Sequence, residues 1–271
     1  MTTIVMCIVA AGIILLLWSR ASKRRRIRQE LEKKFPKPWR ELLVKHVMFY
    51  NHLTQADKSV FEKRVQLFIA TKNIEGIETD IDDAIKIMVA SSAVIPTFAF
   101  PEYNYPFVHS VLIYPGTFDR KYQVHAKRDQ SESISGMVSG GFQNGTVIFS
   151  KPDLVKAFDG LPHKENVGIH EFVHLLDKDD GEIDGVPELI IQHNFVAPWL
   201  KEIKQEIKRI EKGNSDINPY ALTNNAEFLA VVSEYFFENP EKFKRKHPEL
   251  HSFLSRIFNP PVNTSQNQPA S

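Results

Sequence analysis

The segment that most restricts the fold of this chain is NVGIHEFVHLLD, from Asn166 to Asp177. Its apolar side chains recur at helical spacing, at Ile169, Phe172, Val173 and Leu176. This spacing predicts a helix with one buried face. His170 and His174 lie one turn apart on an adjacent face, so both imidazoles can reach one metal ion. The rest of the fold must therefore hold this helix half-buried.

Glu171 directly follows the first histidine and completes the pattern H-E-x-x-H. A carboxylate at this position lies close to an ion held by His170 and His174, where it can take a proton from a water at the metal. The pattern therefore predicts a zinc site that catalyses hydrolysis. The alternative interpretation is an ordinary half-buried helix with two unrelated histidines and a solvated glutamate.

A third protein ligand is expected on a later helix. No third histidine follows His174 at the spacing H-x-x-G-x-x-H, so the ligand should be a carboxylate. The segment 218–240 is strongly apolar and supplies Glu227 and Glu234, seven residues apart on one helical face. Asn224 can cap this helix and offers Glu227 a competing role in a capping box. Spacing alone does not choose between the two glutamates.

These segments resemble the family of zinc-dependent peptidases typified by Mlc titration factor A. The matching patterns are N-V-x-x-H-E-F-x-H-x-L-D-x-x-x-G-x-x-x-G-x-P, which begins at Asn166, and NPYALTNNAEFLAVVSEYFFENP, which begins at Asn218. The resemblance covers roughly Trp39 to Phe258. It implies a mostly helical, zincin-like domain, similar in its core to lethal-factor-type metallopeptidases.

The resemblance also implies roles for individual residues. His170, His174 and Glu227 match the zinc ligands, and Glu171 matches the general base. Tyr220 matches an active-site tyrosine, whose phenol can donate a hydrogen bond to the oxyanion of a tetrahedral intermediate. Glu234 is interpreted as a supporting or structural residue. Asp177 is a candidate acceptor for the ring N–H of a zinc histidine, and a charge at the helix end is the alternative.

The predicted function is therefore that of a gluzincin-like zinc metallopeptidase, with aminopeptidase-type substrates implied by the resemblance. Its partners would be a peptide or protein substrate and, by the same resemblance, a transcriptional repressor. A strand at Thr146–Phe149 is predicted to pair with an extended substrate. The alternative function is a membrane-tethered protein that sequesters a regulator. Hydrolysis of a non-peptide bond by the same residues also fits the pattern.

The N-terminus predicts a membrane location. Thr3 to Trp18 is a run of 16 uncharged residues, and basic residues begin at Arg20. Basic residues stay on the cytoplasmic side, so the prediction is a single-pass anchor in the cell inner membrane with the catalytic domain facing the cytoplasm. A signal peptide or a peripheral hydrophobic N-terminus is the alternative. The net charge of +1 gives no indication of direct nucleic-acid binding.

The order of patterns predicts an α+β fold: helices, a small and mainly antiparallel sheet, then helices. The predicted divisions are an anchor at 1–19, a basic juxtamembrane segment at 20–35, the peptidase domain at 36–258 and a disordered tail at 259–271. The chain's one cysteine, Cys7, excludes an intrachain disulfide and a zinc site built on several thiolates.

Overall fold

Helices make up most of the first part of the domain in the computed structural model, which describes residues 27–116, 136–138, 145–161, 165–188, 190–191 and 193–258 and single positions between 12 and 25. The helices are Lys37–His46 (α1), Met48–His52 (α2), Gln55–Thr71 (α3) and Asp83–Val94 (α4). Most residues of α4 are buried, so this helix runs through the core. The mostly helical character expected from the sequence is confirmed.

The sheet has four strands among the described residues: Asn73–Gly76 (β1), Ser110–Tyr114 (β2), Gly136–Val138 (β3) and Thr146–Ser150 (β4). Their order across the sheet is β1-β2-β4-β3. β1 pairs with β2 in parallel, β2 pairs with β4 in parallel, and β3 is antiparallel to β4.

The predicted mainly antiparallel sheet is therefore wrong. Parallel neighbours need a long crossover connection. Such a connection exists between β1 and β2, where α4 intervenes, and again between β2 and β4. The antiparallel part of the sheet is the pair formed by the consecutive strands β3 and β4. Asn144 of the turn signal lies outside the described residues. The strand predicted at 122–126 lies outside the described residues.

Helices return after the sheet and complete the domain. They are Lys151–Ala157 (α5), Val167–Asp177 (α6), His193–Glu211 (α7), Asn225–Glu238 (α8), Pro240–Lys246 (α9) and Pro248–Phe258 (α10). Short 3-10 turns lie at Lys178–Asp180 and Pro219–Leu222. The three predicted zinc ligands thus lie on two helices of this second group, α6 and α8.

The predicted anchor, residues 1–19, and the predicted tail, residues 259–271, fall mostly or wholly outside the described residues. In the part of the chain that is described, no helix has both the length and the apolar character that crossing a bilayer requires. The described anchor positions Leu15, Leu17 and Trp18 are helical and exposed. The anchor therefore stays a prediction.

Helix α6 lies at the centre of the core. The predicted apolar stripe of Ile169, Phe172, Val173 and Leu176 is fully buried. The ring of Phe172 contacts Phe68 of α3, Tyr105 and Phe149 of β4, with ring centroids 4.9 to 6.2 Å apart. This one aromatic side chain links α6 to the first helical group and to the sheet, so the histidine face of α6 is held from behind.

The close contact between α6 and α4 depends on Gly168. A Cβ atom built on Gly168 would lie 1.9 Å from Ser92 Oγ and 2.7 Å from Ser92 Cβ. Both distances are far below van der Waals contact, and Ser92 is completely buried. The absence of a side chain at Gly168 therefore sets how near the two helices approach.

We expect Gly168→Ala to lower the free energy of unfolding by about 1–3 kcal/mol, because the added methyl overpacks the α4–α6 contact. The gain in helix propensity, at most about 1 kcal/mol, does not offset this. Urea denaturation measures the change. The double variant Gly168→Ala/Ser92→Gly moves the small residue to the other helix and should recover more than half of the loss. Wild-type stability in Gly168→Ala alone would contradict this account of the contact.

Candidate active site

Two histidines of α6 point toward a common position. The helix begins at Asn166, whose side chain accepts a hydrogen bond from the amide of Ile169 (3.1 Å). This cap fixes the start of the helix one turn before His170. The Nε2 atoms of His170 and His174 lie 3.1 Å apart. The i, i+4 spacing read from the sequence therefore brings two ring nitrogens together, as binding of one metal ion by both histidines requires.

The third member of the group is Glu227 of α8. Its Oε2 atom lies 2.9 Å from His170 Nε2 and 3.3 Å from His174 Nε2. The predicted cap is present, because Asn224 Oδ1 accepts from the backbone N–H of Glu227 (2.8 Å). The cap uses the backbone of Glu227 and leaves its carboxylate to face the histidines.

The three atoms fit one zinc ion. The ligand atoms of His170, His174 and Glu227 all lie within 4.8 Å of one another, and the contacts above are 2.9 to 3.3 Å. Tetrahedral zinc with ligands at about 2.0–2.2 Å requires edges of roughly 3.3–3.5 Å between ligand atoms. The observed triangle is only slightly tighter. Two imidazoles and a carboxylate are also the donor set of one class of catalytic zinc sites.

Glu234 contacts the other side of His170. Its Oε1 lies 2.6 Å from His170 Nδ1. With a carboxylate as partner, Nδ1 carries the ring proton, and the lone pair of Nε2 then faces Glu227 and His174. The two glutamates that spacing could not separate thus take different places, with Glu227 in the triangle and Glu234 behind it. The metal-binding role of the triangle stays a prediction.

Charge in the site is balanced at short range. Burial alone would raise the pKa of Glu227, but its hydrogen bonds with His170 and His174 lower it to about 2. Glu227 is therefore a carboxylate at neutral pH. The carboxylates of Glu234 and Glu227 outweigh the effect of burial on His170 and raise its pKa well above the ordinary value.

Glu171 lies on α6 beside this group and is 7% exposed. Burial is the largest effect and raises its pKa, while the neighbouring His170 and His174 oppose the shift. A carboxyl group whose pKa is moved up toward neutrality is better matched to accept and return a proton than a fully solvated one. Glu171 is thus buried beside the two histidines, and its role as general base stays a prediction.

Tyr220 lies in the 3-10 turn at Pro219–Leu222 and faces the open side of the site. Its ring centroid is 6.1 Å from that of His170, and the residue is 53% exposed. Burial of part of the phenol and the negative charge of Glu227 raise its pKa, so the hydroxyl keeps its proton at neutral pH. Asn218 Oδ1 accepts from the Tyr220 amide (2.9 Å) and fixes the turn.

The loop that follows α6 packs against the start of α8. Asp177 Oδ2 accepts a hydrogen bond from the amide of Gly185 (2.9 Å), and the Gly185 carbonyl accepts from the indole N–H of Trp199 (2.7 Å). Asp177 thus supports this loop. The ring N–H of His170 goes to Glu234, so the predicted hydrogen bond from a zinc histidine to Asp177 stays a prediction for His174 only. Gly185 has φ +80°, and a Cβ there would lie 2.3 Å from the carbonyl oxygen of Asn225.

Two features of the site differ from the sequence interpretation. Thr146–Ser150 is paired on both sides, so the prediction that Thr146–Phe149 offers a free edge to substrate is wrong. Among the described strands, β3 lies at that edge of the sheet instead. Glu238 has no role in the sequence interpretation, although it lies one turn beyond Glu234 on the same helix. Its i+4 spacing from Glu234 was the available signal.

We expect Gly185→Ala to weaken zinc binding at least tenfold, because the methyl would push the start of α8 and Glu227 away from α6. Gly181→Ala is the matched control: Gly181 also has positive φ (+110°), but a Cβ there meets no described atom within 4 Å. Both variants should lose about 1–2 kcal/mol from the backbone alone. Zinc affinity is measured by competition with a chelator. Equal affinity in the two variants would refute the effect of Gly185 on Glu227.

Comparisons with known proteins show the family of this chain. A family model described as "Glucose-regulated metallo-peptidase M90" matches residues 19–259. Mlc titration factor A of Escherichia coli is 27% identical over 237 residues, 82% of this chain and 85% of the relative. The same protein of Escherichia fergusonii is 27% identical over 246 residues, 85% and 88% of the two chains. An uncharacterized protein of Synechocystis is 26% identical over 241 residues, 86% and 87%. The chain therefore belongs to the glucose-regulated metallopeptidase family.

Proposed function

We propose that the protein is a zinc-dependent peptidase whose metal is held by His170, His174 and Glu227. The observation that supports this best is the convergence of three ligand atoms from two helices, 2.9 to 3.3 Å apart, with a buried glutamate beside them. Zinc is proposed because two imidazoles and a carboxylate suit it, and because its chemistry serves amide hydrolysis. The family to which the chain belongs consists of metallopeptidases, which agrees with this assignment.

Zinc bound in this triangle would supply the Lewis acidity that activates a water and polarises the scissile carbonyl. Glu171 takes the proton from the attacking water and passes it to the leaving amine. Its buried position supports this role, since burial raises the pKa of Glu171 and makes its carboxylate a stronger base. Glu234 holds His170 in the tautomer that presents Nε2 to the ligand position.

Tyr220 is proposed to stabilise the oxyanion. Its hydroxyl stays protonated at neutral pH, and its ring lies beside that of His170 on the exposed side of the site. A phenol there can donate a hydrogen bond to the carbonyl oxygen as negative charge develops. The turn that carries Tyr220 is itself attached to the start of α6, because Asn218 Nδ2 donates to Glu165 Oε1 (2.8 Å).

The substrate is proposed to bind as an extended strand along β3. Within the described residues β3 pairs with β4, stands at one end of the sheet order and lies against α6. An extended peptide can add to such an edge through main-chain hydrogen bonds. A short peptide with a free N-terminus, the aminopeptidase-type substrate, is the first class to test.

We expect Glu171→Gln to lower kcat by about 10²–10⁴-fold and to leave zinc content near one per chain, because the amide cannot act as a base. Glu227→Ala should lose most of the zinc as well as the activity. Metal analysis and hydrolysis of a peptide library by the full-length protein measure both quantities. Tyr220→Phe provides a further arm, with kcat lower by about 10²-fold and unchanged zinc content. Full activity in Glu171→Gln, or a wild type without zinc, would contradict the proposal.

Capture of a transcriptional repressor is a second candidate function. It is supported by the name of the relatives, Mlc titration factor A, which indicates that those proteins titrate Mlc. The two functions separate in one variant: Glu171→Gln removes hydrolysis while leaving the outer surface unchanged. If wild type holds zinc but cleaves nothing in the library, and both forms bind a repressor equally, the binding function takes precedence.

The membrane location is also a proposal. Leu15, Leu17 and Trp18 are helical, exposed and apolar, and basic residues follow from Arg20 onward. This arrangement suits insertion of the N-terminal segment into the inner membrane, with the basic residues at anionic headgroups on the cytoplasmic face.

We expect the full-length protein to sediment with the membrane fraction and to resist extraction with high salt, because an inserted apolar segment does not depend on charge. Replacing both Leu15 and Leu17 by glutamate should move most of the protein to the supernatant. Cell fractionation followed by immunoblotting measures the distribution. A wild type found in the supernatant at low salt would exclude the anchor.

A further inference from the structure

Asn166 makes three kinds of contact at the start of α6. Its Oδ1 caps the helix by accepting from the Ile169 amide. Its Nδ2 donates to Glu238 Oε1 (2.8 Å) and, over 3.4 Å, to the carbonyl of Ala157. Its backbone N–H donates to Glu234 Oε2. Asn166 is completely buried, so no water competes for these bonds. One residue of α6 is thus attached to two carboxylates of α8.

Three carboxylates of α8 face α6, and each makes a different contact. Glu227 lies in the ligand triangle, Glu234 bridges the His170 ring and the Asn166 backbone, and Glu238 receives the Asn166 amide. Residues 227, 234 and 238 lie on one helical face, since they are separated by seven and four positions. The last contact is the farthest from the ligand position, and neither residue of the pair touches the ligand atoms.

A small rotation of α6 would be enough to spoil the triangle. Atoms at the outer surface of a helix lie about 5–6 Å from its axis, so a turn of about 10° moves them by about 1 Å. Zinc ligands tolerate departures of only about 0.2 Å. The apolar stripe of α6 limits this rotation, but apolar contacts are not directional. A hydrogen bond with a defined donor and acceptor supplies the direction.

We infer that Asn166 and Glu238 form a positioning pair that sets the rotation of α6 against α8, so that the His170 and His174 nitrogens meet Glu227. This inference rests on the proposed zinc site and adds to it two residues that do not bind the metal. Asn166 is more than a helix cap in this account, because its Nδ2 atom plays no part in capping. The Nδ2–Oε1 bond is what couples the two helices.

The two roles of Asn166 can be separated by substitution. Aspartate caps helices as well as asparagine does and keeps the Oδ1 acceptor. In Asn166→Asp, however, an oxygen replaces the Nδ2 donor and faces the Glu238 carboxyl group. Burial raises the pKa of Glu238 to about 7, and a second carboxylate beside it raises that pKa further, so the two groups can share a proton at neutral pH. Zinc affinities are therefore compared at about pH 9, where both carboxyl groups are ionised, the cap is kept and the pair is broken. Glu238→Gln alone keeps an acceptor for Asn166 Nδ2. The double variant Asn166→Asp/Glu238→Gln reverses the bond, with Gln donating to Asp.

We expect the zinc dissociation constant of the full-length protein to rise 10- to 100-fold in Asn166→Asp, the usual range for loss of a residue that supports a ligand. It should stay within about threefold of wild type in Glu238→Gln and return to that range in the double variant. Chelator competition measures these constants. Wild-type affinity in Asn166→Asp, or a double variant as weak as Asn166→Asp, would overturn the inference.

One control variant distinguishes positioning from general stability, and the activity of the wild type distinguishes it from the peptidase function. Thr54→Ala removes the exposed cap of α3, whose Oγ1 accepts from the Asp57 amide. It should lower the free energy of unfolding by about 1 kcal/mol and leave zinc affinity unchanged. If Thr54→Ala weakens zinc binding as much as Asn166→Asp does, stability alone explains the effect and the inference fails. If wild type binds zinc without cleaving peptides, the proposed peptidase function fails while the pattern of zinc affinities still decides the positioning role.

Discussion

The contact between α6 and α8 is the interaction on which the site depends. It brings the Nε2 atoms of His170 and His174 and one oxygen of Glu227 within 3.3 Å of each other, although the two helices are separated by about fifty residues of sequence. Buried carboxylates are costly unless they are paired. Here Glu227 pairs with the histidines and Glu234 with His170 and the Asn166 backbone, so the acidic face of α8 is stable only against α6.

Both ends of α6 are attached to α8, by different means. At the start of α6 the attachment is made of side chains, through Asn166 and Glu238. At the end it is made of backbone, where Gly185 passes within contact distance of Asn225 and is held by Asp177. From behind, Phe172 and the missing side chain of Gly168 fix the depth of the helix in the core. The catalytic face is therefore preorganised by the fold, as precise ligand geometry requires.

The sequence predicted well what depends on local periodicity. The buried stripe of α6, the i, i+4 histidines and the cap at Asn224 all follow from spacing within one or two turns. Features that depend on contacts between distant residues were harder to predict from the sequence. Spacing could not separate Glu227 from Glu234, because both lie on one face. The prediction of strand direction was wrong, because direction depends on how the chain crosses from one strand to the next. The bond from Asn166 to Glu238 spans 72 residues, beyond any periodic signal.

The central claim is that one zinc ion is shared by His170, His174 and Glu227. Anomalous diffraction from crystals of the protein, recorded at the zinc absorption edge, tests it most directly. The account predicts a single strong peak about 2.0–2.2 Å from His170 Nε2, His174 Nε2 and a Glu227 carboxylate oxygen. A protein that takes up zinc at other residues, or shows no peak between α6 and α8 in crystals grown with excess zinc, would contradict it.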